Sequence, residues 1–132
     1  MILVDTNVLI DISKGDDAWY DWSSAAFARA SSEGIVCTNE VVFAELSFGY
    51  ANAGQVEVML DKLGIVLQRT PNDALYLAGR AYQTYRRRGG AKNGVLPDFF
   101  IGAHAAVEGA HLLTRDAKRV RAYFPSVPII AP

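Results

Sequence analysis

The first eleven residues join a short apolar run directly to an acid and then to a helix pattern. Ile2-Leu3-Val4 is wholly apolar, which is typical of a strand buried on both faces of a parallel sheet. Asp5 then falls at the carboxyl end of this strand, where open α/β sheets bind their ligands. Thr6 or Asn7 is expected to cap the helix that follows. A single acid at such a place is usually a turn or cap residue, so a functional Asp5 requires other acids to reach the same place.

The same order of short strand, cap and helix recurs along the chain. Further apolar runs lie at residues 35–37, 65–67, 111–114 and 127–130, and patterns typical of helices separate them. A proline within the last run favours an edge position for that strand. Strands that alternate with helices predict a three-layer α/β/α sandwich with a mainly parallel sheet of about five short strands. We expect a single domain over residues 1–132.

Composition excludes several classes of protein. With 132 residues, of which 51% are hydrophobic and 20% charged, the chain can bury one core and is too apolar to be disordered. The net charge of −1 excludes a strongly basic nucleic-acid binder but is compatible with local basic patches. The single cysteine, Cys37, cannot form an internal disulfide and is expected to be a buried structural thiol. Because neither a signal peptide nor a membrane span is recognisable, we expect a cytoplasmic protein.

Glu45 is a charge on an otherwise apolar helix face. A helix is predicted from residue 40 to about residue 49, and Val41, Val42 and Phe48 are the neighbours of Glu45 on one of its faces. A carboxylate on such a face is costly unless it is paired, hydrogen-bonded or bound to a metal. We therefore interpret Glu45 as inward-facing and functional. The alternative is a position at the rim, with only the side-chain stem buried.

Two more acids stand at the ends of predicted elements. Asp116 follows the apolar run at residues 111–114 and opens a predicted helix, as Asp5 follows the first strand. Asp98 comes directly after Pro97 in the first turn of a helix, where a carboxylate also complements the helix dipole. Each acid has an ordinary structural explanation when taken alone. Right-handed crossovers, however, place the strand ends along one edge of the sheet, so we expect the acids to converge there.

Several carboxylates gathered without compensating lysine or histidine predict a site for a hard cation. Oxygen ligands of this kind suit Mg²⁺ or Mn²⁺, which activate water and neutralise charge on a phosphodiester. Thr6, Asn7 and Thr114 are candidates for orienting the carboxylates or the metal-bound water. The predicted catalytic residues and metal ligands are Asp5, Glu45, Asp98 and Asp116.

Two clusters outside the predicted site are candidates for binding partners. Trp19, Tyr20 and Trp22 provide more aromatic surface than the packing of one short helix needs, so we expect part of it to contact another molecule. Arg86-Arg87-Arg88 ends a long helix, and two interpretations stay open. The arginines either complement the helix dipole or hold a phosphate backbone. His104 has no acid at metal-ligand spacing beside it and is expected to be structural.

The four acids Asp5, Glu45, Asp98 and Asp116, with their neighbouring residues and in this order, resemble the motifs of the PIN-domain ribonucleases, specifically the VapC-like toxins of bacterial type II toxin–antitoxin pairs. The resemblance extends over essentially the whole chain. Many relatives carry another acid or a histidine shortly after the last aspartate, whereas Ala117-Lys118-Arg119 follows here. The markers are Val4-Asp5-Thr6-Asn7, Glu45 in an apolar helix, Asp98 followed by Ile101 and Ala103, and Leu113-Thr114-Arg115-Asp116.

The resemblance implies an endoribonuclease that depends on Mg²⁺ or Mn²⁺ and cleaves structured RNA, often tRNA or rRNA. It also implies a homodimer whose active site is covered by a VapB-like antitoxin. The alternatives are a housekeeping PIN-domain nuclease for RNA processing and an inactive PIN-like module that only binds a partner. A phosphatase with an aspartyl nucleophile would need a second aspartate where Asn7 stands. A response-regulator receiver would need a late lysine where Thr114-Arg115-Asp116 offers an acid.

Overall fold

Short strands alternate with helices along the whole of the described sequence. The structure is a computed structural model that describes residues 1–92 and 94–132. The elements in chain order are β1 (Ile2–Val4), α1 (Thr6–Lys14), α2 (Tyr20–Glu33), β2 (Val36–Asn39), α3 (Glu40–Leu46), a 3₁₀ turn (Ser47–Gly49), α4 (Ala53–Lys62), β3 (Val66–Gln68), α5 (Asn72–Arg87), α6 (Leu96–Glu108), β4 (His111–Leu113), α7 (Lys118–Tyr123) and β5 (Ile129–Ile130).

The strands form one sheet in the order β3-β2-β1-β4-β5, and every pair is parallel. Leu3 in the central strand lies opposite Cys37 on one side and Leu112 on the other. All of β1 is buried, as its unbroken apolar run predicts. The last strand, β5, lies at an edge, which agrees with the proline that precedes it. The predicted α/β sandwich with a parallel sheet of five strands is therefore confirmed.

The order of the strands creates a switch point beside β1. From β1 the chain moves outward through β2 to β3, and it later returns to the other side of β1 to form β4 and β5. Right-handed crossovers then place α1 to α4 on one face of the sheet and α5 to α7 on the other. Helix α1 packs on α2 and α3, while α5 and α7 pack on α6. Ligands of open α/β sheets bind at such a switch point, here at the carboxyl ends of β1 and β4.

An aromatic cluster holds α5, α6 and α7 together. Phe99 is fully buried, and its ring centroid lies 5.3 Å from that of Tyr85 and 5.2 Å from that of Tyr123. Gly102 lets α6 approach Phe124, because a Cβ atom at residue 102 would lie 2.5 Å from that ring. Burial of a phenylalanine side chain contributes about 2–3 kcal/mol. This packing sets the position of the N-terminus of α6 and of α7, and both elements contribute to the site.

Buried polar residues organise the start of α3. The Oδ1 atom of Asn39 accepts hydrogen bonds from the backbone N–H groups of Val41 and Val42, each at 3.1 Å, and so caps the helix. Its Nδ2 atom lies 3.1 Å from Nδ1 of the buried His104. Since Asn39 donates there, Nδ1 accepts, and burial lowers the pKa of His104. His104 therefore lies inside the fold as a neutral partner of Asn39, in agreement with the structural role predicted for it.

Cys37 is also part of the interior. It is fully buried in β2, and burial raises the pKa of its thiol to about 11. The thiol stays protonated at neutral pH and packs as a small apolar group. None of the helices in residues 1–92 and 94–132 is long and apolar enough to cross a membrane.

Candidate active site

A cleft of about 220 Å³ opens at the switch point, beside the carboxyl ends of β1 and β4. Each of the four predicted acids contributes to its wall, and the four come from four separate parts of the chain. The lining residues are Asp5, Thr6, Asn7, Ile10, Glu45, Asp98, Ile101, Asp116, Arg119 and Val120. The cleft thus brings together carboxylates that are up to 111 positions apart in the sequence, from Asp5 to Asp116.

Asp5 joins the end of β1 to the start of α1. Its Oδ1 atom accepts a hydrogen bond of 2.7 Å from the backbone N–H of Thr6, so Asp5 itself caps the helix. The expectation that Thr6 or Asn7 is the cap was wrong, because the chain turns into the helix one residue earlier. The Oδ2 atom accepts from the Thr114 hydroxyl at 2.7 Å and from Nδ2 of Asn7 at 3.2 Å. Three donors therefore hold this carboxylate in one orientation.

The environment of Asp5 disfavours its charged form. Its pKa is raised from the ordinary value of 3.8 to about 6, chiefly by burial. The hydrogen bonds from Thr114 and Thr6 oppose this rise in pKa, while the charges of Asp98 and Glu45 add to it. A cation in the cleft would favour the ionised carboxylate and lower the pKa again.

Glu45 is half-buried on α3 and points at the same cleft. Its Oε1 atom accepts a hydrogen bond of 2.7 Å from the Thr6 hydroxyl. The prediction that Phe48 belongs to an apolar helix face around Glu45 was wrong. The α-helix ends at Leu46, and Phe48 in the following 3₁₀ turn is 93% exposed. Val42 is buried, as expected, so the face is apolar on one side of Glu45 only.

Asp98 lies in the first turn of α6, as predicted, and is paired with Arg119 from α7. The Nη1 atom of Arg119 donates to Oδ2 of Asp98 at 2.5 Å. Burial raises the pKa of Asp98, the charge and hydrogen bond of Arg119 lower it, and the charges of Glu45 and Asp116 raise it. The net result is a raised pKa even though a guanidinium is in contact with the carboxyl group. Arg119 offsets only part of the negative charge of the cleft.

The loop after β4 connects Asp116 to the rest of the site. The Thr114 hydroxyl donates to Asp5 and accepts from the backbone N–H of Asp116 at 3.1 Å. The backbone N–H of Arg115 donates to Oδ1 of Asn7 at 3.1 Å. Asp116 is exposed, and α7 begins at Lys118 and not at residues 115–116 as predicted. Thr114 and Asn7 thus join the two strand ends through hydrogen bonds.

A buried ion pair behind the cleft was not predicted. Asp11 in α1 is 1% exposed and accepts from Nε and Nη2 of Arg115 at 2.6 and 3.0 Å. The Ser23 hydroxyl from α2 donates to Oδ2 of Asp11 at 2.6 Å. Because Arg115 immediately precedes Asp116, this pair ties the Asp116 loop to α1. The signal available in the sequence was Asp11 itself, an acid among the apolar residues of the first helix.

The four carboxylates fit a hard divalent cation in chemical type and in charge. They offer only oxygen donors, as Mg²⁺ and Mn²⁺ prefer, and they share one cleft. Within residues 1–92 and 94–132, however, no three histidine, cysteine, aspartate or glutamate side chains stand as a ready-made set of ligands for one ion. Arg119 and Thr6 each donate to an oxygen that a cation would need, on Asp98 and Glu45 respectively.

The three arginines at the end of α5 lie outside the cleft. Arg86 donates to the carbonyl oxygen of Gly90 at 3.2 Å and so closes its own helix end. Arg87 and Arg88 line a separate groove of about 340 Å³ that also contains Arg80 and Tyr123. The guanidinium carbon of Arg88 lies 5.5 Å from the centroid of the Tyr123 ring. Arg86 thus contacts its own helix end, while the side chains of Arg87 and Arg88 are exposed to solvent.

The aromatic residues of the first helices contact one another and the Asp116 loop. Trp19 and Trp22 meet edge to face with ring centroids 6.2 Å apart, and Arg115 lies 5.1 Å from the Trp19 ring centroid. Tyr20 is exposed. Trp22 lines a groove of about 580 Å³ beside the edge strand β5. Trp19 and Trp22 are therefore partly buried, while Tyr20 faces solvent.

The protein is an α/β domain with a parallel sheet, and four carboxylates line a cleft at the switch point of this sheet. The sequence matches the family model of the PIN domain over residues 2–125, and the chain belongs to this family. The PIN-like fold inferred from the resemblance is therefore confirmed. Among curated proteins, none matches the sequence significantly.

Solved structures of toxin–antitoxin proteins have the same fold. A toxin–antitoxin complex from Klebsiella pneumoniae is 22% identical with a TM-score of 0.70, covering 98% of this chain and 96% of that chain. VapBC-1 from nontypeable Haemophilus influenzae is 20% identical with a TM-score of 0.69, covering 99% and 98%. The sarcin-ricin-loop-cleaving toxin VapC20 of Mycobacterium tuberculosis is 18% identical with a TM-score of 0.67, covering 97% and 99%. At these identities the likeness establishes the fold.

Proposed function

We propose that this protein is the toxin of a VapBC-type toxin–antitoxin pair and acts as an endoribonuclease that requires Mg²⁺ or Mn²⁺. The substrate is structured RNA, such as tRNA or rRNA. One observation carries the proposal: carboxylates from four separate elements line one cleft at the switch point of a PIN domain. The likeness of the fold to toxin–antitoxin structures, one of them an RNA-cleaving toxin, supports it.

The residues of the cleft divide into metal ligands and side chains that orient them. Asp5, Glu45, Asp98 and Asp116 are the carboxylates that would hold the metal. When bound, the metal activates a water and neutralises charge that builds on the phosphodiester. Hydrolysis joins the water oxygen to phosphorus and breaks one P–O ester bond. It leaves one phosphate end and one hydroxyl end.

Hydroxyl and amide groups of the chain keep these carboxylates in place. Thr114 and Asn7 donate to Asp5, and Thr6 donates to Glu45. Because these donors come from β4 and α1, the strand ends and the helix are joined through the carboxylates that they orient. Groups of this kind, in contact with a metal ligand, typically affect metal affinity or activity by about 10–100-fold.

Cleavage of total RNA by the purified protein tests the proposal. We expect cleavage in Mg²⁺ or Mn²⁺, none in EDTA, and a loss of about 100-fold or more in Glu45→Gln, because an amide is a poorer metal ligand of nearly the same shape. Glu57→Gln, at an exposed site on α4, is the matched control and should keep full activity. Full metal-dependent cleavage by Glu45→Gln would remove Glu45 from the site. Absence of cleavage by the wild type would favour an inactive partner-binding module.

The groove at the end of α5 is the proposed contact for RNA outside the cleft. Residues 74–97 contain five lysines or arginines and no acid, in a chain whose net charge is −1. This concentrates positive charge on α5 and the following loop. Arg87 and Arg88 are exposed and line the groove, where their guanidinium groups can contact the phosphates of an RNA strand. We therefore assign these two arginines to RNA affinity and not to the chemistry.

The proposed protein partners are an antitoxin and a second copy of the chain. Trp19, Tyr20 and Trp22 provide the proposed aromatic surface for a VapB-like antitoxin segment, since Tyr20 is exposed, Trp22 lines a groove and Trp19 contacts Trp22. The homodimer is proposed from the family resemblance, and the exposed apolar residues Val66 and Leu67 on the edge strand β3 are candidates for its contact. A cellular RNA substrate implies action in the cytoplasm. A nuclease of housekeeping RNA processing would have no cognate antitoxin, and co-expression with the neighbouring small open reading frame distinguishes the two.

A further inference from the structure

One cation faces the four carboxylates of the cleft. Among the described residues that line it, Arg119 carries the one positive charge. Its Nη1 atom is 2.5 Å from Oδ2 of Asp98, and its guanidinium carbon is 5.6 Å from the centroid of the Tyr85 ring. Both side chains of the ion pair are partly exposed, 29% for Arg119 and 40% for Asp98. The pair therefore lies at the mouth of the cleft, in reach of solvent.

The position of Arg119 conflicts with that of a metal ion. Asp98 is one of the proposed ligands, and Arg119 occupies one of its two carboxylate oxygens. A guanidinium and a divalent cation on the same carboxylate repel each other. A site that already contains a cation of its own has to release it before a metal can take the place.

Release of Arg119 costs little in this environment. Ion pairs that are partly exposed contribute little to stability, because water solvates both partners when they separate. The Tyr85 ring gives the guanidinium a second contact that does not involve Asp98. Arg119 also sits on the short helix α7, whose buried residue Val120 anchors the backbone while the side chain turns. The guanidinium can thus leave Asp98 without any change in the fold.

We propose that Arg119 is a positioning residue that pairs with Asp98 in the metal-free protein and is exchanged for the divalent cation when the site is loaded. Once released, the guanidinium lies at the mouth of the cleft, where the phosphate of an RNA strand enters. Metal binding and availability of Arg119 for RNA are thereby coupled in one step. This inference rests on the proposed metal-dependent cleavage of RNA.

Titration of Mn²⁺ into the full-length protein, followed by calorimetry, tests the exchange without measuring activity. Arg119→Met removes the competing charge, so we expect Mn²⁺ to bind about three- to tenfold more tightly than to the wild type. Arg121→Met on the same helix is the control, because it removes an exposed charge outside the cleft. Arg119→Gln should behave like Arg119→Met and guards against a folding defect of either variant.

The outcomes separate this inference from the proposed function. Tighter Mn²⁺ binding together with slower RNA cleavage in Arg119→Met is the expected result, since a purely structural role would weaken both. If the wild type binds Mn²⁺ and both Arg119 variants bind it no more tightly than Arg121→Met does, Arg119 does not compete and the inference fails alone. If Mn²⁺ binds as expected but no RNA is cleaved, the exchange of Arg119 for the metal stands, while the proposed function and the role of the released Arg119 toward RNA fail. A wild type that binds no Mn²⁺ overturns both.

Discussion

The raised pKa of Asp5 predicts how the stability of the metal-free protein depends on pH. A carboxyl group whose pKa is higher in the folded than in the unfolded state binds its proton more tightly when folded. Its contribution to stability is fully present below the unfolded value of 3.8 and is lost as pH rises through the folded value of about 6. We therefore expect the Asp5→Asn variant in EDTA to lack the loss of stability that Asp5 causes in the wild type as pH rises.

The size of the effect follows from the difference between the two pKa values. From 3.8 to about 6 is roughly two units, and each unit corresponds to about 1.4 kcal/mol, so the upper limit is about 3 kcal/mol. For a domain of this size that is a shift in Tm of about 10 °C. The stability at one pH does not isolate this effect, because the amide that Asp5→Asn introduces also has less acceptor capacity toward Thr114 and Asn7. The change in stability between pH 4 and pH 6.5 does isolate it.

Thermal melts in EDTA at several pH values provide the measurement. The wild type should lose stability between pH 4 and pH 6.5 relative to Asp5→Asn, while Asp61→Asn, at an exposed site on α4, should follow the wild type. Excess Mn²⁺ should then stabilise the wild type, by about 3 kcal/mol at 100 times the Kd, and the variant much less. If the stability of wild type and of Asp5→Asn depended on pH in the same way, the raised pKa of Asp5 would be refuted. Equal shifts with Mn²⁺ would show that Asp5 is not a ligand.

Three further predictions concern the surroundings of the cleft. Asp11→Asn removes the buried negative charge that pairs with the Arg115 guanidinium and should cost about 3–5 kcal/mol in chemical denaturation. A cost below about 1 kcal/mol would contradict the importance of this pair. Replacing Arg87 and Arg88 by Gln should lower the slope of log K against log salt for RNA binding by about 1.4–1.8, and an unchanged slope would leave RNA outside the groove. Trp19→Ala and Trp22→Ala should each weaken antitoxin binding about 30-fold, as measured by calorimetry; unchanged affinity in folded variants would locate the antitoxin elsewhere.

Features carried by neighbouring residues were predictable from the sequence. The run Ile2–Val4 followed by Asp5 specifies a buried strand and an acid at its carboxyl end, because both depend on residues that are adjacent in the chain. Asp98 in the first turn of α6 was predictable for the same reason. Glu45 was recognised by its apolar neighbours, although Phe48 was assigned to the wrong surface. Its position depends on where α3 ends, and tertiary packing decides the ends of helices.

Features that join distant residues were not predictable. The ion pair of Asp11 with Arg115 links positions 104 residues apart, and that of Asp98 with Arg119 links two separate helices. No local pattern indicates which acid an arginine will meet. These contacts depend on the strand order, which places β4 beside β1. The sequence predicted a parallel sheet with acids at one of its edges, but it did not predict that order. The pairing partners of the charges had to come from the structure.

The pairing of β1 with β4 also sets the moment in translation at which the site is complete. Asp5 accepts its hydrogen bond from Thr114, which the ribosome adds 109 residues later. Asp98 and Asp116 likewise belong to the later part of the chain. A nascent or truncated product that stops before α6 contains only two of the four carboxylates and lacks the strand beside β1. For a protein proposed to cleave RNA, the ribosome and its tRNAs are therefore not exposed to a finished site until Asp116 has been added to the chain.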